Sequence, residues 1–133
     1  MPLLTPPRST RAGSLAALRR NQRFDAILGA RMAGRRPTVV LYTTSTAARP
    51  VLVDYARLSG WQISEDAFFD RPGSTKGLAM ACAATESPLV DGILTLDRRM
   101  LPPSTDTYER TLHLLGRYGA FLEFVPPLPG GAA

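Results

Sequence analysis

Thr38 to Pro50 read TVVLYTTSTAARP. Val39, Val40, Leu41 and Tyr42 form a continuously apolar run, as a strand buried on both faces requires. Five small residues follow, four of them hydroxylated. Pro50 then suits the first turn of a helix, where its missing N–H costs no intrahelical bond. The stretch reads as strand, turn and helix, and it raises a chemical question. The hydroxyls of Thr43, Thr44, Ser45 and Thr46 are either a nucleophile site or only the turn.

Downstream the alternation repeats. RPVLVDYARLSG places Val51, Leu52, Tyr55 and Leu58 on one side of a helix that Gly60 stops. WQISEDAFFD holds two short extended runs, 61–63 and 67–69. TKGLAMACAATES is a helix of small residues able to press closely on a sheet, and LVDGILTLD (89–97) is a second buried strand. STDTYERTLHLLGRYG is a helix with Ser104 or Thr107 as its cap and Tyr108, Leu112 and Leu115 as its apolar stripe; AFLEFVP supplies the last strand. This alternation predicts a three-layer α/β fold around a mostly parallel four-stranded sheet with right-handed crossovers. Ligands of such sheets lie beyond the carboxyl ends of the strands. Tyr42–Thr46 and Asp97–Arg99 are therefore expected at one edge, as neighbours.

Upstream, SLAALRRNQRFDAILGARMAG carries Leu15, Leu18, Ile27, Leu28 and Met32 at helical spacing, with Ser14 as N-cap and Gly34 as stop, in one helix or two short ones. Residues 14–36 are thus an extra basic amphipathic helix ahead of an α/β domain over 37–125. Its leucine face either docks on a partner or second copy, or folds back on its own sheet. Residues 1–13, with three prolines among Ser, Thr and Arg, are expected to be a flexible tail, and residues 126–133 a Pro/Gly-rich one.

The chain has 133 residues and a net charge of +5, unevenly spread. The first 36 residues hold eight arginines against Asp25 alone, a net of +7, and the remaining 97 residues carry −2. Arg19, Arg20, Arg23, Arg31, Arg35 and Arg36 are the candidate nucleic-acid contacts, because neutralising phosphates releases counterions. Arg19, Arg20 and Arg23 are expected on the helix face away from the leucines. A solvated arm that only aids solubility is the plainer reading. One cysteine, Cys82, leaves no internal disulfide, and His113 is the only histidine, so neither a Cys-rich nor a His-ligated metal site is expected. No cofactor is implied. The absence of an apolar run of spanning length predicts a cytoplasmic protein with no membrane contact.

There is no G-x-G-x-x-G after the first strand, no phosphate loop and no G-x-S-x-G elbow. His113 falls in a helix far from Ser45 in sequence, a poor place for a base. In order and distance, however, VVLYTTST, SGWQISEDAFFD, STKGLAMA and VDGILTLDRR resemble the N-terminal catalytic domain of the resolvase/invertase family of serine recombinases, over about residues 37–125. The resemblance implies a resolvase-like fold and a chemistry in which a serine attacks a DNA phosphodiester while arginines hold the phosphate, electrostatic catalysis by positioned cations.

Residue by residue the pattern then departs. Tyr42, Asp70, Asp97 and Arg98 match family positions. Thr44 stands where the first arginine belongs, and Thr46 stands at the nucleophile position with Ser45 one residue early. The loop arginine falls at Thr75 or Lys76, and Leu101 replaces a further arginine. Each lost, desolvated phosphate contact costs about 2–5 kcal/mol. The family's long dimer helix and helix-turn-helix domain are not in this sequence. The resemblance therefore implies a vestigial pocket of Tyr42, Thr44, Ser45, Thr46, Asp70, Asp97 and Arg98 in a catalytically inactive domain, acting as a DNA-associated or regulatory interaction module. The alternatives are a protein-interaction regulator that uses its N-terminal helix for a protein partner or homodimer without nucleic acid, and residual phosphodiester chemistry through Thr46 or Ser45.

Overall fold

The computed structural model describes residues 11–127. The N-terminal segment is one helix, α1 (Arg11–Met32), followed by β1 (Thr38–Thr43), α2 (Arg49–Leu58), β2 (Gln62–Phe69), α3 (Lys76–Ala84), β3 (Gly92–Thr95), α4 (Thr105–Arg117) and β4 (Phe121–Phe124). The strands form one sheet in the order β2-β1-β3-β4, and every pairing is parallel. This is the expected three-layer α/β architecture with four strands.

The strands sit centrally because their side chains are apolar on both faces. Val40, Tyr42, Ile93 and Leu122 point to one side, where they pack on Leu78, Ala81 and Cys82 of α3 and on Tyr108, Leu112 and Leu115 of α4. Val39, Leu41, Leu94 and Phe121 point to the other, onto Leu52 and Ala56 of α2 and onto Trp61. Trp61 is the anchor of that layer, meeting Tyr55 and Phe121 edge to face. Three helices stop in the same way. Gly34, Gly60 and Gly119 take positive φ, and the next residue's N–H returns to a carbonyl five residues back, from Arg35 to Ala30, Trp61 to Ala56 and Ala120 to Leu115. Each turn feeds the chain towards the following strand.

Several local expectations change. Ser14 lies inside α1 rather than capping it, and Arg11–Gly13, expected as tail, are helical; residues 1–10 and 128–133 lie outside the described residues. The two extended runs around Trp61–Phe69 are one strand with an irregularity, since Val39 pairs with Ile63 but Leu41 pairs with Ala67. Strand β3 covers only Gly92–Thr95 of the longer apolar run. In α2 the buried side is Leu52 and Ala56, whereas Val51 and Leu58 are exposed.

Helix α1 folds back on its own sheet and runs along β4, the edge its sequence could not specify. Leu15 enters the layer of α3 and α4, while Ala26 and Ile27 enter the layer of α2. One helix therefore closes one sheet edge and joins both cores.

Candidate functional site

The carboxyl edge of the sheet gathers the residues singled out in the sequence. Adjacent strands β1 and β3 bring the hydroxyl cluster beside the segment after β3, where the Thr44 hydroxyl lies 2.9 Å from the Met100 sulfur. Tyr42 and Asp70 meet directly: the phenol donates to Asp70 Oδ2 at 2.8 Å. Asp70 is 2% exposed and fully engaged. It also accepts from the Gly77 N–H at 2.7 Å, the Leu78 N–H at 2.9 Å and the Ser74 hydroxyl at 3.2 Å. Burial alone would raise its pKa, but the donors from Gly77, Tyr42, Leu78 and Ser74 outweigh it and hold the carboxyl below its ordinary value. Burial, reinforced by Asp70, pushes the Tyr42 phenol up. Asp70 is thus an ionised clamp that fixes the start of α3 and the end of β2. Gly77 is required there, because a Cβ at this position would come 2.6 Å from the Phe69 carbonyl oxygen.

The hydroxyl cluster itself is a turn. Thr43 Oγ1 donates to the Ser45 carbonyl at 2.6 Å and accepts from the Ser45 N–H at 2.9 Å. Ser45 and Thr46 are exposed where a 3₁₀ turn, Thr46–Ala48, leads into α2, and the Ser45 side chain makes no cap bond. Neither of these two hydroxyls has a hydrogen-bonding base or guanidinium among the described residues.

Arg98 and Arg99, which follow β3, are committed elsewhere, whereas Arg49 at the start of α2 and Arg71 beside Asp70 are exposed. Arg98 donates to the Pro102 carbonyl at 2.6 Å and stacks 4.4 Å from the centre of the Tyr108 ring, which ties down the loop before α4. Arg99 folds back on Asp97, with Nη2 2.8 Å from Oδ2, and Asp97 also accepts its backbone N–H. That contact holds the Asp97 carboxyl below its usual value. A groove of about 810 Å³ opens beyond β3 and β4, lined by Arg19, Asp97, Arg98 and Arg99 among others.

The basic helix differs more sharply from expectation. Arg19 and Arg23 do not face away from the apolar surface. They turn inward onto Glu123 of β4, which is 5% exposed. Arg23 Nε lies 2.9 Å from Glu123 Oε2, Tyr55 donates to the same oxygen at 2.7 Å, and Arg19 Nη1 is 3.9 Å from Oε1. The two guanidinium groups also lie over Trp61 and Phe124, at 5.4 and 4.6 Å. The reason was present in the spacing. Arg19, Arg23, Ala26 and Ala30 recur at four, three and four residues, which is a single helix face, and Ala26 and Ala30 are buried.

Arg35 is likewise held, in a two-pronged pair with buried Asp91 at 2.6 and 2.7 Å; Asp91 also accepts the Thr38 N–H. Of the six candidate contact arginines, Arg20, Arg31 and Arg36 remain exposed. Beside them α1 turns a second apolar row to solvent, Phe24, Leu28 and Met32; the single stripe read from the sequence had merged Leu28 and Met32 with the buried row.

Cys82 is buried between α3 and the sheet, and burial pushes its thiol up to about 11. Among the described residues no helix is long and apolar enough to cross a membrane, and no three His, Cys, Asp or Glu side chains gather as a metal-binding group. A scan against protein-family models and searches of curated proteins and of solved structures returned no match to this chain.

Proposed function

We propose that this chain is a catalytically inactive, serine-recombinase-like α/β domain that acts by attachment, as a DNA-associated or regulatory interaction module. One observation carries the reading. Arg98 is spent on the Pro102 carbonyl and Tyr108, Arg99 on Asp97, and the exposed hydroxyls of Ser45 and Thr46 have neither a base nor a positioned cation. A nucleophilic hydroxyl without either is inert towards a phosphodiester. Incubation with supercoiled DNA should give no covalent protein–DNA adduct; an adduct lost in Thr46→Ala or Ser45→Ala would restore the catalytic reading.

Attachment to DNA draws support from Arg20, Arg31 and Arg36, which are exposed along α1 and just after it. The chain should then shift duplex DNA at low salt, with an affinity that falls steeply as salt rises. Replacing these three arginines by glutamate should abolish the shift. A second reading, docking to protein without nucleic acid, is favoured by the row Phe24, Leu28 and Met32, exposed on α1 beside Arg20 and Arg31. Apolar side chains contribute little to a phosphate-facing surface but much to a protein interface.

A further inference from the structure

Glu123 has more cation than it uses. Arg23 Nε and the Tyr55 phenol both bond its Oε2, and that pairing already answers the charge. Arg19 is then a surplus cation. Its Nη1 stops 3.9 Å from Oε1, beyond hydrogen-bonding distance, its Nε is buried without a partner, and its side chain keeps only 22% of its exposure. A guanidinium carries five donors in a fixed fork, and leaving them unmade in a mostly buried place is costly. The space that Arg19 meets is the groove of about 810 Å³ beyond β3 and β4, whose apolar wall is Val51, Leu96, Phe124, Val125 and Pro126. The topology puts this groove where a ligand belongs. The chain leaves β1 for α2 on one side of the sheet and leaves the neighbouring β3 for α4 on the other. Open parallel sheets bind ligands where connections part in this way, beyond the carboxyl ends of the strands. Val51 is in the first turn of α2 and Leu96 directly follows β3, so the groove spans that parting.

We propose that this groove binds a small organic acid, an apolar body carrying one carboxylate, with Arg19 as the anion anchor. The carboxylate accepts from the Arg19 Nη groups, the planar pairing for which a guanidinium is shaped. The apolar body lies along Val51, Leu96 and Val125. The two carboxylates of the groove do not oppose this ligand unanswered, because Arg23 holds Glu123 and Arg99 holds Asp97. The volume is that of a small-molecule site, typically about 300–1,000 Å³ with apolar walls and few polar groups. A phosphate backbone fits less well, since it brings repeated charge to one surplus cation and leaves the apolar wall without a partner. Arg20, Arg31 and Arg36 do not line the groove, so ligand binding here stands or falls separately from attachment to DNA. Arg19 itself belongs to a helix outside the stretch that resembles the recombinases.

The test is titration of the full, isotope-labelled chain with naphthoate and with its neutral counterpart naphthamide, read by backbone amide shifts. Naphthoate should give saturable shifts at Leu96, Phe124 and Val125. Naphthamide should bind about ten- to hundredfold more weakly, because it forfeits the charge-assisted pair. Arg19→Gln should weaken naphthoate by a similar factor, and Arg19→Lys by less. Arg19 also steadies α1, so a second variant works from the opposite wall. Val51 is exposed, and Val51→Trp should fill the groove and block naphthoate while leaving the thermal melt unchanged. Absence of saturation with naphthoate overturns the proposal, as does equal affinity for naphthamide or indifference to both Arg19→Gln and Val51→Trp. Displacement of naphthoate by a short DNA duplex also overturns it, by giving the groove to the phosphate backbone. A chain that shifts DNA but ignores naphthoate removes only the small acid and leaves the attachment reading in place.

Discussion

The two edges of the sheet are each secured by one buried carboxylate, with opposite chemistry. Asp70, directly after β2, is surrounded by neutral donors from Tyr42, Ser74, Gly77 and Leu78. Glu123, within β4, is held by Arg23 and Tyr55, with Arg19 behind them. The Asp70 clamp belongs to the α/β unit itself and fixes the loops at the carboxyl edge. The Glu123 clamp reaches across about a hundred residues of sequence and fastens an added helix over the edge strand. The β2 edge has no such cover, and its middle carries Glu65 and Asp66 instead, both exposed. Charges on an open edge discourage pairing with another strand. The contrast teaches that this chain discourages association at one edge by charge and occupies the other with a helix whose far side is apolar.

The contrast can be broken first at Asp70. Asp70→Ala should cost about 3 kcal/mol, because the Tyr42 hydroxyl and two N–H groups lose a charged acceptor in a buried setting; urea denaturation measures it. The milder Asp70→Asn sharpens the point through pH. The folded chain holds this carboxyl below its ordinary pKa, so the unfolded chain takes up the proton first. Its contribution is present above the ordinary carboxylate range and is lost as pH falls through the folded value. Urea melts across acid pH should show a shallower loss of stability in the asparagine variant than in the native chain.

Glu123→Ala comes next, at about 2 kcal/mol. Its effect is smaller because the Arg19 and Arg23 side chains keep 22% and 39% of their exposure and can regain water. The cost should shrink in high salt more than that of Asp70→Ala, since only this clamp pairs opposite charges near solvent.

The smallest effect has the opposite sign. Gly29 lies within α1, and a Cβ there would meet nothing within 4 Å. Gly29→Ala should therefore stabilise the chain by about 0.5–1 kcal/mol through helix propensity alone, read as a higher thermal midpoint. Loss of stability would mean that α1 lies closer to its surroundings than its packing on β4 requires.

Much of the scaffold was legible beforehand. The runs at Thr38–Tyr42 and Phe121–Phe124, Pro50 and Gly60 bounding α2, and Ser104 capping α4 through the Thr107 N–H all follow from local patterns that side chains obey before any tertiary contact exists. The candidate site was legible only as a list. Tyr42, Thr44, Ser45, Thr46, Asp70, Asp97 and Arg98 do share the carboxyl edge, but the sequence could not reveal that Asp70 is saturated or that Arg98 is tied to backbone carbonyls. A guanidinium on a long stem can serve a phosphate or close a loop, and the choice depends on which acceptors folding brings within reach.

By itself, then, the sequence determined the alternation of strands and helices and the concentration of positive charge before β1, because periodicity, caps and composition are properties of neighbours along the chain. The tertiary structure alone decided which arginines are spent and which are free. Glu123 and Asp91 reach their cations across long sequence separations, and no spacing along the chain encodes a partner that only the closed sheet brings near.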